Sequence, residues 1–166
     1  MLRRELRQRR RDLSETAQRQ AGRAVAELMS SAPAFQDSQH IALYLAADGE
    51  LDLAEFIEIA RGSGKSLYLP AIENKTMSFR RWSQGDSLVK GGLGIEQPHS
   101  ETAHIELRQL ELVLTPLVGF DRQGLRLGMG GGYYDRCFAG RPQSSNQAQQ
   151  APQLLGVAHS LQECED

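Results

Sequence analysis

Residues 40–70 read HIALYLAADGELDLAEFIEIARGSGKSLYLP, and their pattern indicates the fold class. Two apolar runs, residues 40–46 and 66–70, have the composition of buried strands. A turn at residues 48–50 follows the first run. The next segment has the spacing of an amphipathic helix, with apolar positions at Leu53, Phe56, Ile57 and Ala60 and an end marked by Gly62 and Gly64. Because a strand–helix–strand order is typical of parallel sheets, the sequence predicts a three-layer α/β/α fold around a mostly parallel sheet.

The N-terminal segment is predicted to form two helices. Residues 2–13, LRRELRQRRRDL, place leucines on one helical face and arginines on the adjacent one. Ser14 is a suitable N-cap for the second helix, which ends at Pro33. We assign the inner face of that helix to Ala17, Ala21, Ala24, Val25 and Leu28.

The C-terminal half is predicted to add further strands and one helix. The expected order is strand 77–82, loop 83–103, buried strand 110–116, a helix from Tyr133, solvated loop 140–153 and strand 154–158. The first of these strands is either hairpin-like or at a sheet edge. The two loops are rich in glycine or in polar residues of low complexity.

Composition excludes several classes of protein. The chain has 166 residues, of which 40% are hydrophobic and 24% charged, and its net charge is -2. These values fit a single globular domain, residues 1–166, with no overall attraction to nucleic acid or membranes. No apolar run has the length of a membrane span or of a signal peptide. Since Cys137 and Cys164 do not make a disulfide framework, a reducing cytoplasm is the expected location.

The candidate site lies in residues 115–136, TPLVGFDRQGLRLGMGGGYYDR, after a predicted strand, where open α/β sheets bind ligands. Its glycines allow backbone N–H groups to face an anion, and the dipole of the following helix would add to this. Arg126 supplies a bidentate charge for phosphate, and Asp135 is a candidate ligand for Mg²⁺. The segment lacks the lysine of a Walker A motif, and Tyr133 stands where a dinucleotide-binding motif needs glycine. A glycine-rich turn without a ligand is the alternative interpretation.

These residues closely resemble the signature of the 5-formyltetrahydrofolate cyclo-ligase family, also called 5,10-methenyltetrahydrofolate synthetases. Further blocks at residues 6–14, 44–52, 67–70 and 156–159 match in family order. The resemblance implies a fold similar to that of some sugar-phosphate isomerases and coenzyme A transferases. It also implies ATP-dependent cyclisation of 5-formyltetrahydrofolate to 5,10-methenyltetrahydrofolate through a phosphorylated formyl intermediate, with release of ADP and phosphate.

The resemblance implies roles for individual residues, with ATP and Mg²⁺ as cofactors. By it, the catalytic residues are Arg126, Tyr134 and Asp135, and Asp135 is the metal ligand. The nucleotide-binding residues are expected to be Arg3, Arg7, Arg126, Leu127, Gly128, Met129, Gly130, Gly131, Gly132, Tyr133 and Tyr134. The substrate-binding residues are expected to be Leu45, Glu50, Met129, Gly130, Gly131, Gly132, Tyr133 and Tyr134. Glu50 would accept hydrogen bonds from the pterin.

Two features depart from the family pattern. The family carries a lysine ahead of the pair that matches Leu2 and Arg3, and we expect Arg7 or Arg10 to take its place. Beyond the match at residues 156–159, the family continues into a final strand with a further acidic Mg²⁺ ligand. We therefore expect the domain, residues 1–166, to be without that strand.

The expected partner is the small-molecule folate, and a monomer without membrane or nucleic-acid partners is expected. Two alternatives stay open. The first is a degenerate family member that binds folate or nucleotide without turnover. The second is an RNA-associated protein that uses Arg7, Arg10 and Arg11 of the N-terminal helix, although no aromatic residues alternate with these arginines.

Overall fold

The computed structural model describes residues 1–140 and 151–164. Its helices are α1 (Leu2–Arg11), α2 (Glu15–Ser31), α3 (Pro33–Gln36), α4 (Ala54–Gly62) and α5 (Tyr133–Cys137). Its strands are β1 (His40–Ala42), β2 (Ser66–Glu73), β3 (Thr76–Trp82), β4 (Leu88–Lys90), β5 (Glu96–Pro98), β6 (His104–Ile105), β7 (Leu112–Pro116), β8 (Gly119–Phe120), β9 (Arg126–Leu127) and β10 (Gln153–Val157). Most of the predicted loop 140–153 lies outside the described residues.

A central sheet joins strands in the order β10-β7-β1-β2-β3-β6. The pairs β10–β7, β7–β1 and β1–β2 are parallel, whereas β2–β3 and β3–β6 are antiparallel. Two short antiparallel pairs, β4–β5 and β8–β9, lie outside this sheet. The prediction of an α/β chain with a mostly parallel sheet is confirmed, with an antiparallel extension on the side of β2.

The strand–helix–strand unit forms as predicted, but its first strand is shorter than expected. β1 ends at Ala42, whereas the apolar run continues to residue 46. Leu43 still donates its backbone N–H to a carbonyl oxygen of β2, at 3.0 Å, before the chain turns away. Asp48 and Gly49 have φ values of 55° and 74°, in the left-handed region. The turn therefore leaves the sheet and places its side chains beside the carboxyl end of β1.

The N-terminus of α2 is predicted correctly, but part of its inner face is wrong. Ser14 Oγ accepts a hydrogen bond from the first turn of the helix at 3.2 Å. Ala24 is exposed, and Leu28 is 70% exposed. The buried residues of this helix are Gly22, Ala26 and Met29. Because a β-carbon at Gly22 would lie 3.0 Å from the backbone oxygen of Asp52, close approach at this glycine sets which face turns inward.

Helical residues pack on both faces of the sheet. On one face, α2, α3 and α4 cover β1, β2 and β7, and the ring centroids of Phe35 and Phe56 lie 5.2 Å apart. On the other face, Tyr68, Phe79 and Val113 pack against residues of α5. Each fully buried side chain of this size contributes roughly 1.5–3 kcal/mol to the free energy of folding. The two cores thus hold the parallel strand ends in a fixed arrangement.

The antiparallel part of the sheet shows where β3 lies and corrects the prediction for residues 83–103. β3 forms a hairpin with β2 through Asn74 and Lys75, both with positive φ, and β6 pairs with its other side. The hairpin is therefore confirmed, and β3 is not at an edge. The predicted loop 83–103 contains the β4–β5 pair, which is anchored to the sheet because Gln97 Oε1 accepts the N–H of Ile72 at 2.9 Å.

Within the described residues, no helix is both long and apolar enough to cross a bilayer.

Candidate active site

A cavity of about 330 Å³ lies at the carboxyl ends of β1, β2 and β7. Its walls come from the turn after β1, from β2 and β3, from residues 93–96, and from the segment between β9 and α5. Most of the lining surface is apolar, with a few charged side chains among it. Apolar walls with a small number of placed polar groups are typical of small-molecule sites.

The glycine loop, residues 128–132, forms one side of this cavity. Gly130 and Gly132 have φ values of 104° and 64°, which residues with a β-carbon rarely adopt. The loop ends at Gly132, and α5 begins at Tyr133 as predicted. A β-carbon at Gly128 would meet no protein atom within 4 Å, so space beside the loop is open. Since α5 has only five residues, the contribution of its dipole to anion binding is smaller than predicted.

Arg126 and Asp135 form an ion pair across the glycine loop. The Asp135 side chain is 75% exposed, and the Arg126 side chain is 26% exposed. The guanidinium carbon of Arg126 also lies 5.6 Å from the ring centre of Tyr134, within the range of a cation–π contact. An exposed ion pair contributes only about 0–1 kcal/mol to stability, so a ligand can compete for either partner.

A second cavity, of about 650 Å³, is lined by the same ion pair. Its other walls come from the ends of β7 and β10 and from residues around Phe120 and Leu125. Because Arg126 and Asp135 line both cavities, the two cavities meet at this pair. Ligands bound in the two cavities would face one another across these side chains.

Glu50 forms part of the wall of the first cavity, together with Leu45. Its Oε2 accepts a hydrogen bond from the backbone N–H of Ala47 at 3.1 Å, and its side chain is 13% exposed. Burial raises the pKa of Glu50, although that hydrogen bond and the charge of Arg10 act to lower it. Burial likewise raises the pKa of the Tyr134 phenol, and the nearby Glu50 raises it further.

Three arginines of α1 converge on Asp48. Arg7 Nε lies 2.8 Å from Oδ2, Arg10 Nη2 lies 3.0 Å from the same oxygen, and Arg11 pairs with Oδ1. Burial acts to raise the pKa of Asp48, but the hydrogen bonds from these arginines outweigh it and hold the pKa well below its usual range. Arg10 is completely buried. The arginines considered for RNA binding therefore all contact a carboxylate of this chain.

The first cavity brings together most of the predicted site residues. Those that line it are Leu45, Glu50, Arg126, Gly128, Met129, Gly131, Gly132, Tyr133, Tyr134 and Asp135. The predicted residues that line neither cavity are Arg3, Arg7, Leu127 and Gly130, all within the described part of the chain. Arg3 contacts the glycine loop, since its Nε donates to the carbonyl oxygen of Gly128 at 2.9 Å, whereas Arg7 is bound to Asp48.

The apolar wall of the cavity was not predicted from the sequence. This wall includes Tyr44, Ile72, Met77, Leu93 and Ile95. Leu93 is 71% exposed with a φ of 61°, which is unusual for a leucine. For Leu93 and Ile95, the available signal was their position beside Gly92 and Gly94. Tyr44, Ile72 and Met77 also belong to the two cores, so their apolar character alone did not indicate a cavity.

Comparison with known proteins agrees with the resemblance noted in the sequence. A sequence model of the 5-formyltetrahydrofolate cyclo-ligase family matches residues 1–166. The chain is 35% identical over 161 residues to 5-formyltetrahydrofolate cyclo-ligase of Escherichia coli (strain K12), covering 95% of this chain and 85% of that protein. It is 33% identical over 139 residues to that of Haemophilus influenzae, covering 81% and 74%.

A solved structure of 5,10-methenyltetrahydrofolate synthetase from Aquifex aeolicus matches the fold with a TM-score of 0.81 and 31% identity. The match covers 98% of this chain and 78% of that one. The synthetase of Mycoplasma pneumoniae gives a TM-score of 0.75 and 26% identity, over 99% and 87% of the two chains. Taken with the match along all of its residues, these similarities show that the chain belongs to the 5-formyltetrahydrofolate cyclo-ligase family.

Proposed function

We propose that this chain catalyses the ATP-dependent cyclisation of 5-formyltetrahydrofolate to 5,10-methenyltetrahydrofolate, with release of ADP and phosphate. Membership of the cyclo-ligase family supports this reaction. The observation that carries the assignment of the site is the meeting of two cavities at Arg126 and Asp135. A reaction between a folate and a nucleotide requires adjacent binding sites with charged groups at their boundary, and this arrangement supplies them.

The first cavity is the proposed folate site. Its apolar wall, with Met129 and Tyr134, offers surface for a flat ring system. Glu50 offers carboxylate oxygens that would accept hydrogen bonds from the amino and ring N–H groups of a pterin. Leu45 lines the same cavity and would contact the bound ring. The folate would thereby be oriented with its formyl group toward the boundary between the two cavities.

The second cavity and the glycine loop form the proposed nucleotide site. Arg126 lines this cavity and would bind phosphate oxygens in place of Asp135. Arg3 is proposed to support the loop through its hydrogen bond to Gly128, rather than by lining the cavity. Arg7 would have to exchange Asp48 for a phosphate to bind the nucleotide directly.

The proposed chemistry requires positioning and charge rather than a side-chain nucleophile. The γ-phosphoryl group passes to the formyl oxygen, so its bond to ADP breaks and a bond from that oxygen to phosphorus forms. N10 then attacks the activated carbon and loses its proton, and phosphate leaves with the oxygen as the ring closes. Arg126 is proposed to neutralise charge on the transferred group, while Tyr134 packs beside it and fixes its direction.

Mg²⁺ is the proposed metal, with Asp135 as its protein ligand. Bound there, the ion would neutralise and align phosphate oxygens. Asp135 fits this role because it is an exposed carboxylate at the boundary of the two cavities. In residues 1–140 and 151–164, no three His, Cys, Asp or Glu side chains are grouped as metal ligands. One carboxylate suits an ion that completes its coordination with water and phosphate.

The finer fold assignment is also part of the proposal. It describes one three-layer domain over residues 1–166, similar to some sugar-phosphate isomerases and coenzyme A transferases. The parallel order β10-β7-β1-β2 and the helices on both faces of the sheet support it. The monomeric state and the cytoplasmic location stay predictions from the sequence.

The test is an absorbance assay for methenyltetrahydrofolate with purified protein, 5-formyltetrahydrofolate, ATP and Mg²⁺. We expect ATP-dependent product from the wild type and a loss of roughly 10²–10³-fold in kcat for Asp135→Ala. Glu5→Gln is the matched control, since Glu5 is an exposed carboxylate paired with Arg9 and lines neither cavity. No ATP-dependent product from folded wild type would contradict the proposal and favour a protein that binds without turnover.

A further inference from the structure

Arg10 lies in α1, far in sequence from the glycine loop, and its side chain is completely buried. Its Nε donates to the backbone oxygen of Asp48 at 2.8 Å, and its Nη1 donates to that of Leu117 at 3.1 Å. Its Nη2 lies 3.0 Å from Asp48 Oδ2 and 3.8 Å from Glu50 Oε1. Arg10 therefore connects α1 to the end of β7 and to both carboxylates of the turn after β1.

Glu50 is surrounded by charged groups, some of which favour its ionised form and others its protonated form. The charged and titratable groups around it include Arg7 and Arg10 from α1, Asp48 from its own turn, Tyr44 from the segment after β1 and Tyr134 from α5. His159, which follows β10, is buried beside the backbone of Gly49 and is affected by the charge of Arg10. Burial and the negative charge of Asp48 favour the protonated form of Glu50, whereas the arginines favour the ionised form. Among the described residues, only Arg10 places a cationic nitrogen within 4.0 Å of the Glu50 carboxylate.

We propose that Arg10 is a positioning residue of the active site, whose buried guanidinium keeps the Glu50 carboxylate ionised and directed into the folate cavity. An ionised carboxylate offers only acceptors, which the N–H donors of a pterin require, whereas the protonated acid would present an O–H donor. This inference rests on the proposed function, because folate must be the ligand of that cavity. It assigns a role in substrate recognition to a residue outside the glycine loop.

A purely structural role explains Arg10 less completely. Asp48 already has Arg7 and Arg11 as partners. Burying a charged group costs several kcal/mol before its contacts are counted. At 3.8 Å from Glu50 Oε1, the Arg10 guanidinium acts on this carboxylate of the cavity wall through its charge rather than through a hydrogen bond.

The test compares Arg10→Met with Arg11→Met, because Arg11 pairs with Asp48 but makes no ion pair with Glu50. The quantity measured is kcat/KM for 5-formyltetrahydrofolate as a function of pH, since its acid limb reports ionisations of the free enzyme. We expect the acid limb to move upward by about one pH unit or more in Arg10→Met and to stay in place in Arg11→Met. Glu50→Gln should lose this limb, and adding Arg10→Met to it should produce no further shift.

An acid limb that stays in place in folded Arg10→Met, or that moves equally in Arg11→Met, would overturn the proposal. If Arg10→Met does not fold, the Glu50 carboxyl carbon of the wild type is followed by ¹³C NMR and identified by its loss in Glu50→Gln. We expect this carboxyl to be ionised over the pH range of activity, and a protonated Glu50 there would contradict the proposal. Failure of the proposed function is distinguishable, because the wild type itself would then give no ATP-dependent product.

Discussion

Two arginine–carboxylate sites lie beside the same cavity and differ in what their charges face. At Asp48, three arginines of α1 share one carboxylate, and one of them, Arg10, is fully buried. At Asp135, a single arginine, Arg126, pairs with a carboxylate that is 75% exposed, and both line two cavities. The first site joins α1 to the turn after β1, and Asp48 also forms part of the wall of the first cavity, whereas the second site lies at the boundary of both proposed ligand sites.

The number of arginines that bind a carboxylate therefore indicates its role better than its negative charge does. A carboxylate bound by three guanidinium groups has few directions left for a metal or a substrate, whereas one with a single exposed partner keeps them. The expected contributions of the two kinds of ion pair to stability agree with this distinction. An exposed pair contributes about 0–1 kcal/mol, and removing one partner of a buried pair costs about 3–5 kcal/mol. We therefore expect changes at Asp48 to reduce stability and changes at Arg126 to reduce turnover.

The largest effect is expected for Arg126→Met. We expect kcat/KM to fall by about 10³-fold, because the charge on the transferred phosphoryl group would lose its arginine partner. The free energy of unfolding should change by less than about 1 kcal/mol, since the ion pair with Asp135 is exposed. Initial rates and urea denaturation measure the two quantities. Arg126→Lys, which keeps a charge but not the bidentate geometry, should lie between the wild type and Arg126→Met.

The next effect is expected for Asp48→Asn. This change leaves Arg10 buried without a full counter-charge, so we expect the free energy of unfolding to fall by about 3 kcal/mol. Urea denaturation at neutral pH measures the loss. If the loss is no larger than that of Arg126→Met, the distinction between the two sites is wrong.

The contribution of Asp48 to the free energy of unfolding should also depend on pH. Hydrogen bonds from the arginines hold its pKa well below the ordinary value of 3.8, despite the opposing effect of burial. An acid with a lowered pKa in the folded state stabilises the fold fully above its unfolded-state pKa and loses this contribution as pH falls through the folded-state pKa. The stability difference between the wild type and Asp48→Asn should therefore be constant from about pH 5 to 8 and shrink below about pH 4. Denaturation curves across this range provide the check, and a constant difference down to pH 3 would contradict it.

The smallest effect is expected for Glu5→Gln. Glu5 and Arg9 form an exposed pair four residues apart on α1, with side chains that are 56% and 54% exposed. Such pairs contribute about 0.3–0.5 kcal/mol, so thermal denaturation should show a small shift and the rate of turnover should stay the same. A larger loss would mean that α1 depends on its surface charges more than the burial of Leu6 and Arg10 indicates.

Local sequence patterns predicted which helices and strands form better than they predicted which faces are buried and where the strands end. The helix over residues 54–62 follows from its apolar spacing, and the N-cap at Ser14 follows from the chemistry of its hydroxyl group. The exposed Leu28 was assigned to the wrong face, because the close approach at Gly22 is invisible to hydrophobic spacing. The β4–β5 pair was missed because a single side chain, Gln97, anchors it to β2.

Features that depend on neighbouring residues can be predicted from this one sequence. These are the strand–helix–strand unit of residues 40–70, the glycine loop before Tyr133, and the family signature that contains Arg126 and Asp135. Such features arise from backbone preferences and spacing within a few turns of chain, so one sequence is enough to detect them.

Which charged side chains are paired and which stay available to a ligand depends on how the folded chain brings them together. Arg10 is 38 positions from Asp48 and 107 from Leu117, and all three meet at the carboxyl ends of parallel strands. Electrostatic energy depends on distance in space and on burial, and neither can be read from spacing along the chain. The sequence therefore predicts an exposed basic face for the arginines of α1. In the folded protein, three of them bind Asp48 beside the proposed folate cavity.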